Sequence, residues 1–285
     1  MKTKINLLLV FISMTSCSQE MMLSNHVSLD CILSQPLGEV PENLYLFETI
    51  QPSSDYPPFT KKLTVCGITL VAQDEISDSF MKDVAQTVAD IFTVDNRIDV
   101  AMQEKLLTNL YLYRAVIPIF AGEDWSLSQK EEQLIGQTRA QNSVCDIIME
   151  GVDGQVVEVV EHILHHISNV GFHHTLPTEW GLSDSSRLYE IAQQAIASGY
   201  FDINDYSEIK AVGERNRVIL QEYAYWIIYT TWNLRKTYGP RESEWSIQTA
   251  EELESKLPKS SQFVKATIEK IIRCPRERTL RSFIQ

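Results

Sequence analysis

Apolar and polar positions divide the chain into two halves of different period. From Leu63 to Ala72 the run Leu-Thr-Val-Cys-Gly-Ile-Thr-Leu-Val-Ala is apolar and rich in β-branched residues, which predicts a buried strand. Asp74 to Asp78 supplies turn and cap residues, and helical spacing follows from Ser79 to Phe92. A second helix is expected over Asp99 to Tyr111, strand character returns from Arg114 to Phe120, and Ser143 to Met149 is a third short strand. Beyond Gly154 the period is helical almost throughout, over Gln155 to Val170, Ser185 to Ala197, Glu214 to Arg235, Thr249 to Lys256 and Ser260 to Ile272. Strands gathered first and helices after them predict an α+β fold, with a small mixed sheet in the N-terminal half and a mainly helical C-terminal half. The chemistry is expected where the halves meet.

The first residues follow another grammar. Lys2 and Lys4 precede a short apolar core from Ile5 to Ile12, interrupted only by Asn6. A spanning helix needs about 20 apolar residues, so this stretch reads as an export signal rather than a membrane anchor. Its end, Met14-Thr15-Ser16-Cys17, resembles the lipobox of bacterial lipoproteins, with Met14 in place of the usual Leu. The resemblance implies cleavage after residue 16 and a lipid on Cys17, holding the protein to a bacterial membrane on its periplasmic or outer side. The alternative is an ordinary secretory peptide. Residues 17–60, rich in Ser, Pro and Gln, read as tether and irregular lead-in, and 61–285 as one domain.

Charge and cysteine content narrow the classes further. A net charge of −13 disfavours nucleic acid and anionic lipid as electrostatic partners. Five cysteines are an odd number for an oxidising compartment, but assigning Cys17 to lipid leaves Cys31, Cys66, Cys145 and Cys274, enough for two disulfides. The chain has no Gly-rich phosphate loop, Cys-x-x-Cys pair or G-x-S-x-G elbow, so nucleotide, redox and serine-hydrolase readings have no support. Asp95-Asn96-Arg97-Ile98-Asp99 lacks the alternation of a calcium loop and reads as a turn and helix cap.

Histidine is the unusual residue. Of six in the chain, His162, His165, His166, His173 and His174 fall between Glu161 and Thr175. On the helix expected over Gln155 to Val170, His162 and His166 are four apart and share a face, as do Glu161 and His165, while Glu158 lies beside them. Imidazole and carboxylate at this spacing suit Zn²⁺. A third ligand has two sources. One is Glu222, a carboxylate inside the apolar helix around Tyr223, Tyr225 and Trp226, where its competing explanation is an ion pair to Arg215, Arg217 or Arg235. The other is His173 or His174, just past Gly171.

Three stretches resemble zincin metallopeptidases, most nearly the lethal-factor-like branch: Val65-Cys66-Gly67-Ile68 with Val71-Ala72, then Glu161-His162-Ile163-Leu164-His165-His166, then Gln221-Glu222-Tyr223-Ala224-Tyr225-Trp226. The resemblance covers about Lys61 to Pro258. It implies a zinc-binding domain hydrolysing peptides or proteins outside the cytoplasm, with metal ligands from His162, His165, His166 and Glu222, Glu161 as the base and Tyr225 as an oxyanion donor. The motif departs from His-Glu-x-x-His. Taking His162 and His166 as ligands leaves Ile163 at the base position, whereas Glu161 and His165 as ligands put His162 there, as though the first two motif residues were exchanged. The inverted order, His-x-x-Glu-His, would fall on Glu158, Glu161 and His162. An inactive binding or assembly lipoprotein, with a structural metal or none, is the alternative from another class.

Overall fold

The computed structural model describes residues 27–240 and 243–284. The expected export signal over residues 1–16 and the expected lipid site Cys17 lie outside the described residues, within which no helix is long and apolar enough to cross a membrane.

The architecture is α+β: a five-stranded mixed sheet in the N-terminal half and a mostly helical C-terminal half. The strands, in chain order and sheet order alike, are β1 (Gln51–Pro52), β2 (Lys61–Val65), β3 (Ile68–Ala72), β4 (Ala115–Ala121) and β5 (Ile148–Glu150). The first three run antiparallel, and β3–β4 and β4–β5 are parallel. The single strand expected over Leu63 to Ala72 is instead a hairpin. Cys66 (φ 47°) and Gly67 (φ 81°) both take the left-handed conformation that a two-residue hairpin turn requires, which pairs Val65 with Ile68. A Cβ on Gly67 would stand 2.7 Å from Leu110 Cβ, so glycine also lets the turn approach the following helices.

Those helices are α1 (Asp78–Ile91), whose first turn is capped by the Ser77 hydroxyl accepting from Phe80 N–H, and α2 (Val100–Leu112), capped by Asp99 accepting from Met102 N–H. They cross from β3 to β4. Between β4 and β5 lies α3 (Gln129–Gln141), a helix the hydrophobic pattern did not reveal because only Thr138 on it is buried. Its sequence signal is the Ser128-x-x-Glu131 capping box, in which each side chain bonds the other's backbone N–H.

Period-2 alternation sends Leu63, Val65, Ile68, Leu70, Ile117 and Ile119 into the main core and Val71, Val116 and Phe120 into a smaller cluster on the other face. Next come α4 (Gln155–His166), a π-helical segment (Ile167–Phe172), and the short α5 (His173–Thr175) and α6 (Pro177–Trp180). Beyond them are α7 (Arg187–Ala197) and α8 (Val212–Thr231), which is buried all round from Arg217 to Thr230. The helix expected to run on to Arg235 stops at Thr231, breaks at the left-handed Asn233 (φ 57°) and restarts as α9 (Leu234–Tyr238). Then α10 (Ala250–Lys256), α11 (Pro258–Thr267) and α12 (Glu277–Arg281) complete the chain. The apolar stripe of α4, Val156, Val159, Val160, Ile163 and Leu164, enters the main core, and α4 packs against α8.

The described part of the lead-in does not hang free. Cys31, buried, is disulfide-bonded to Cys145 in the loop before β5, while Cys66 is buried and free and Cys274 exposed and free.

Candidate metal centre

Polar side chains of α4 that cannot join its apolar stripe face a wedge between the β5 loop and α8. Asp146 comes from that loop, Glu158, Glu161, His162 and His165 from α4, and Gln221, Glu222 and Tyr225 from α8. Two trios offer ligand atoms within 4.8 Å of one another: Asp146, His162 and His165, and Glu161, His165 and Glu222. His165 belongs to both, and its two ring nitrogens explain why.

His165 is 0% exposed. Its Nδ1 lies 2.7 Å from Asp146 Oδ2, and a carboxylate at that distance accepts a proton from the ring. Gln221 Nε2 donates to the same oxygen at 3.3 Å, its amide oriented because Oε1 already accepts from Asn169 Nδ2 (2.5 Å) and Arg217 NH1 (3.0 Å). With Nδ1–H so fixed, Nε2 of the neutral ring carries a lone pair. This Nε2 is buried without a hydrogen-bond partner, 3.5 Å from Glu222 Oε2 and on the side of Glu161. A carboxylate fixing the far nitrogen of an imidazole is the usual support of a metal-ligating histidine. The Tyr225 hydroxyl is also buried without a partner, its ring standing edge-on to that of His165 at 5.8 Å.

The electrostatics tell the same story. Four carboxylates meet here, and without a cation the cluster retains protons. Burial, and then the charge of Glu222, push Glu161 up to about 8. Burial pulls His165 down, but Glu222 and Asp146 outweigh it and carry the ring up to about 10. Asp146 is held well below the usual carboxylate range, because the charges of His162 and His165 and the His165 hydrogen bond exceed the cost of burial. A divalent cation would supply the positive charge these protons provide.

The other candidate residues separate clearly. His162 is clamped between two carboxylates, Nδ1 3.0 Å from Asp146 Oδ2, though off the hydrogen-bonding direction, and Nε2 3.3 Å from Glu158 Oε2. His166, expected as a ligand, is outside both trios. Its Nδ1–H donates to the His162 carbonyl at 2.9 Å and its Nε2 accepts from Cys145 N–H at 3.2 Å, so both nitrogens are used, and burial pushes the ring down to about 4. His173 accepts from Leu182 N–H, and His174 stacks on Tyr113 at 3.5 Å, so neither returns to the wedge. Glu222 is paired with His165 rather than with any of the three arginines considered for it: Arg217 binds Asp30 and Gln221, and Arg235 lies over the Trp226 ring. Glu161, expected as the base, sits among the ligand candidates. Asp146 and Gln221 were not singled out from sequence. Nothing in their spacing marks Asp146, whereas Gln221 could have been suspected as a second buried polar group beside Glu222.

Comparison with known protein families, curated proteins and solved structures finds no match to this chain.

Proposed function

We propose that this chain is an exported, lipid-anchored, zincin-like zinc protein that hydrolyses peptides outside the cytoplasm, its metal held by Glu161, His165 and Glu222. The observation that carries the reading is the lone His165 Nε2, buried, oriented by Asp146 and aimed at two carboxylates. One nitrogen and two carboxylate oxygens suit Zn²⁺ and leave a fourth position for substrate or water. The bound ion would supply Lewis-acid polarisation of the scissile carbonyl.

The chain's own groups fill the remaining roles. Asp146 and Gln221 fix the His165 ring. The Tyr225 hydroxyl, without a partner in the wedge, donates to the oxyanion. In the exchanged zincin order Glu161 and His165 take the ligand positions and His162 takes the base position. Side-chain exposure of 20% at Asp146, 14% at His162 and 12% at Glu222 keeps the wedge within reach of solvent.

One observation favours the non-catalytic reading: both nitrogens of His162 face Asp146 and Glu158 rather than the trio, which leaves the base position occupied but turned aside. Peptide-library cleavage by the zinc-loaded chain and its His162→Ala variant separates the two. Cleavage lost in the variant with zinc retained supports the hydrolase. A zinc-loaded parent that cleaves nothing supports a structural metal in a binding lipoprotein.

A further inference from the structure

The disulfide and the metal wedge share a wall. Cys145 directly precedes Asp146, and Cys31 directly follows Asp30. From Asp30 a continuous line of polar contacts leads back to the same place: Asp30 Oδ1 accepts from Arg217 Nε at 3.0 Å, and Arg217 NH1 donates to Gln221 Oε1 at 3.0 Å. Gln221 Nε2 then donates to Asp146 Oδ2 at 3.3 Å, and that oxygen holds His165 Nδ1 at 2.7 Å. The Cys31–Cys145 bond closes the line into a ring. His166 braces the same corner by accepting from Cys145 N–H.

We infer that the Cys31–Cys145 disulfide is a redox latch on the metal centre: oxidised, it presses Asp146 against His165 and completes the site, and its reduction by a dithiol loosens Asp146 and releases metal. The inference rests on the proposed metal reading and adds its regulation. The bond ties the segment bearing Asp30 directly to the loop bearing Asp146, across a sequence separation of 114 residues between the two cysteines. Cys31 is 5% exposed and Cys145 half-buried, so attack falls on the Cys145 sulfur. A thiolate of the dithiol bonds to that sulfur, the Cys31 sulfur leaves with the electron pair and takes a proton, and a mixed disulfide forms. The reductant's second thiolate then attacks its partner sulfur, expelling Cys145, which takes the second proton. The protein gains two thiols, and the dithiol is oxidised to a disulfide.

Other ties remain after reduction. Ser28 N–H still donates to the Gly213 carbonyl and Leu33 N–H to Ser143 Oγ. The expected effect is therefore a weakened site in a folded protein. Losing the outer support of a metal ligand costs about 10- to 100-fold in affinity.

The test is zinc affinity of the full chain by competition with a chromophoric chelator, for the parent, C31S/C145S and Arg217→Gln, with folding followed by circular dichroism. Serine at both cysteines also removes thiols that would bind zinc themselves. The latch predicts zinc binding about tenfold weaker or more in C31S/C145S, with a smaller loss in Arg217→Gln. Unchanged affinity in folded C31S/C145S overturns the latch and leaves the metal reading standing. A folded parent that binds no zinc overturns the metal reading, and the latch with it. Where C31S/C145S does not fold, the zinc affinity of the parent before and after reduction with a phosphine that does not bind zinc decides, with folding followed in the same way: weakened binding in the folded reduced chain supports the latch and unchanged binding overturns it.

Discussion

Adjacent histidines on one helix have opposite fates. His165 and His166 are both 0% exposed, yet His165 has one nitrogen without a partner and His166 has none. His166→Ala should therefore leave the Cys145 N–H without its partner and cost about 2 kcal/mol of stability in urea melts, while zinc per chain stays unchanged. Asp146→Asn keeps the size of the side chain but weakens its hold on His165 Nδ1, and zinc affinity should fall about 10- to 100-fold by chelator competition. An unchanged affinity would mean that Asp146 does not support the ligand. The histidine cluster itself was plain from sequence, and so was the Glu161–His165 spacing. Which ring faces the wedge was not, because the answer comes from Asp146, 19 residues upstream in another element. Spacing along a helix reports which residues share a face and is silent about what the face meets.

At the scale of elements, strong apolar periods were legible and polar or interrupted ones were not. The runs giving α1, α2 and β4 were read to within a residue or two, since buried positions recur regularly there. The hairpin between β2 and β3 was hidden because Cys66 continues the apolar run even as it takes φ 47°. Helix α3 was hidden because it buries almost nothing. A contact linking α1 to the C-terminus carries a prediction of its own. Asp90, 2% exposed, accepts from the Arg276 backbone and guanidinium, from the Thr279 hydroxyl and from Gln86. Burial alone would raise its pKa, but these hydrogen bonds outweigh it and the net shift is downward. A carboxylate lowered on folding stabilises the protein above its unfolded pKa of about 3.9 and loses that contribution as pH falls through the lower folded value. Asp90→Asn should thus cost about 2–4 kcal/mol at neutral pH, and urea titrations should show the gap from the parent narrowing below about pH 4. A gap independent of pH would remove the ionised carboxylate from the account.

At the scale of the whole molecule, the division into a sheet-bearing first half and a helical second half was readable because the hydrophobic period changes near Gly154. What was not readable is how the lead-in joins the body, since four cysteines permit several pairings and only the fold brings Cys31 to Cys145. Closing a loop of this length in the unfolded chain implies that removing the bond costs about 2–5 kcal/mol, measurable as a lower denaturation midpoint for C31S/C145S with zinc absent. Metal stabilises the fold by mass action, so free zinc at about 100 times its dissociation constant should add about 2.7 kcal/mol, seen as a rise in Tm that His165→Ala abolishes. The wedge joins the β5 loop, α4 and α8, and a cation held by Glu161, His165 and Glu222 would bind α4 to α8.

The central claim is that Glu161, His165 and Glu222 hold one metal ion, and elemental mass spectrometry on untagged protein tests it most directly. The account predicts about one zinc per parent chain, lost in His165→Ala and Glu222→Ala and kept in His166→Ala. A folded parent free of metal after incubation with zinc, or zinc retained in folded His165→Ala, would contradict it.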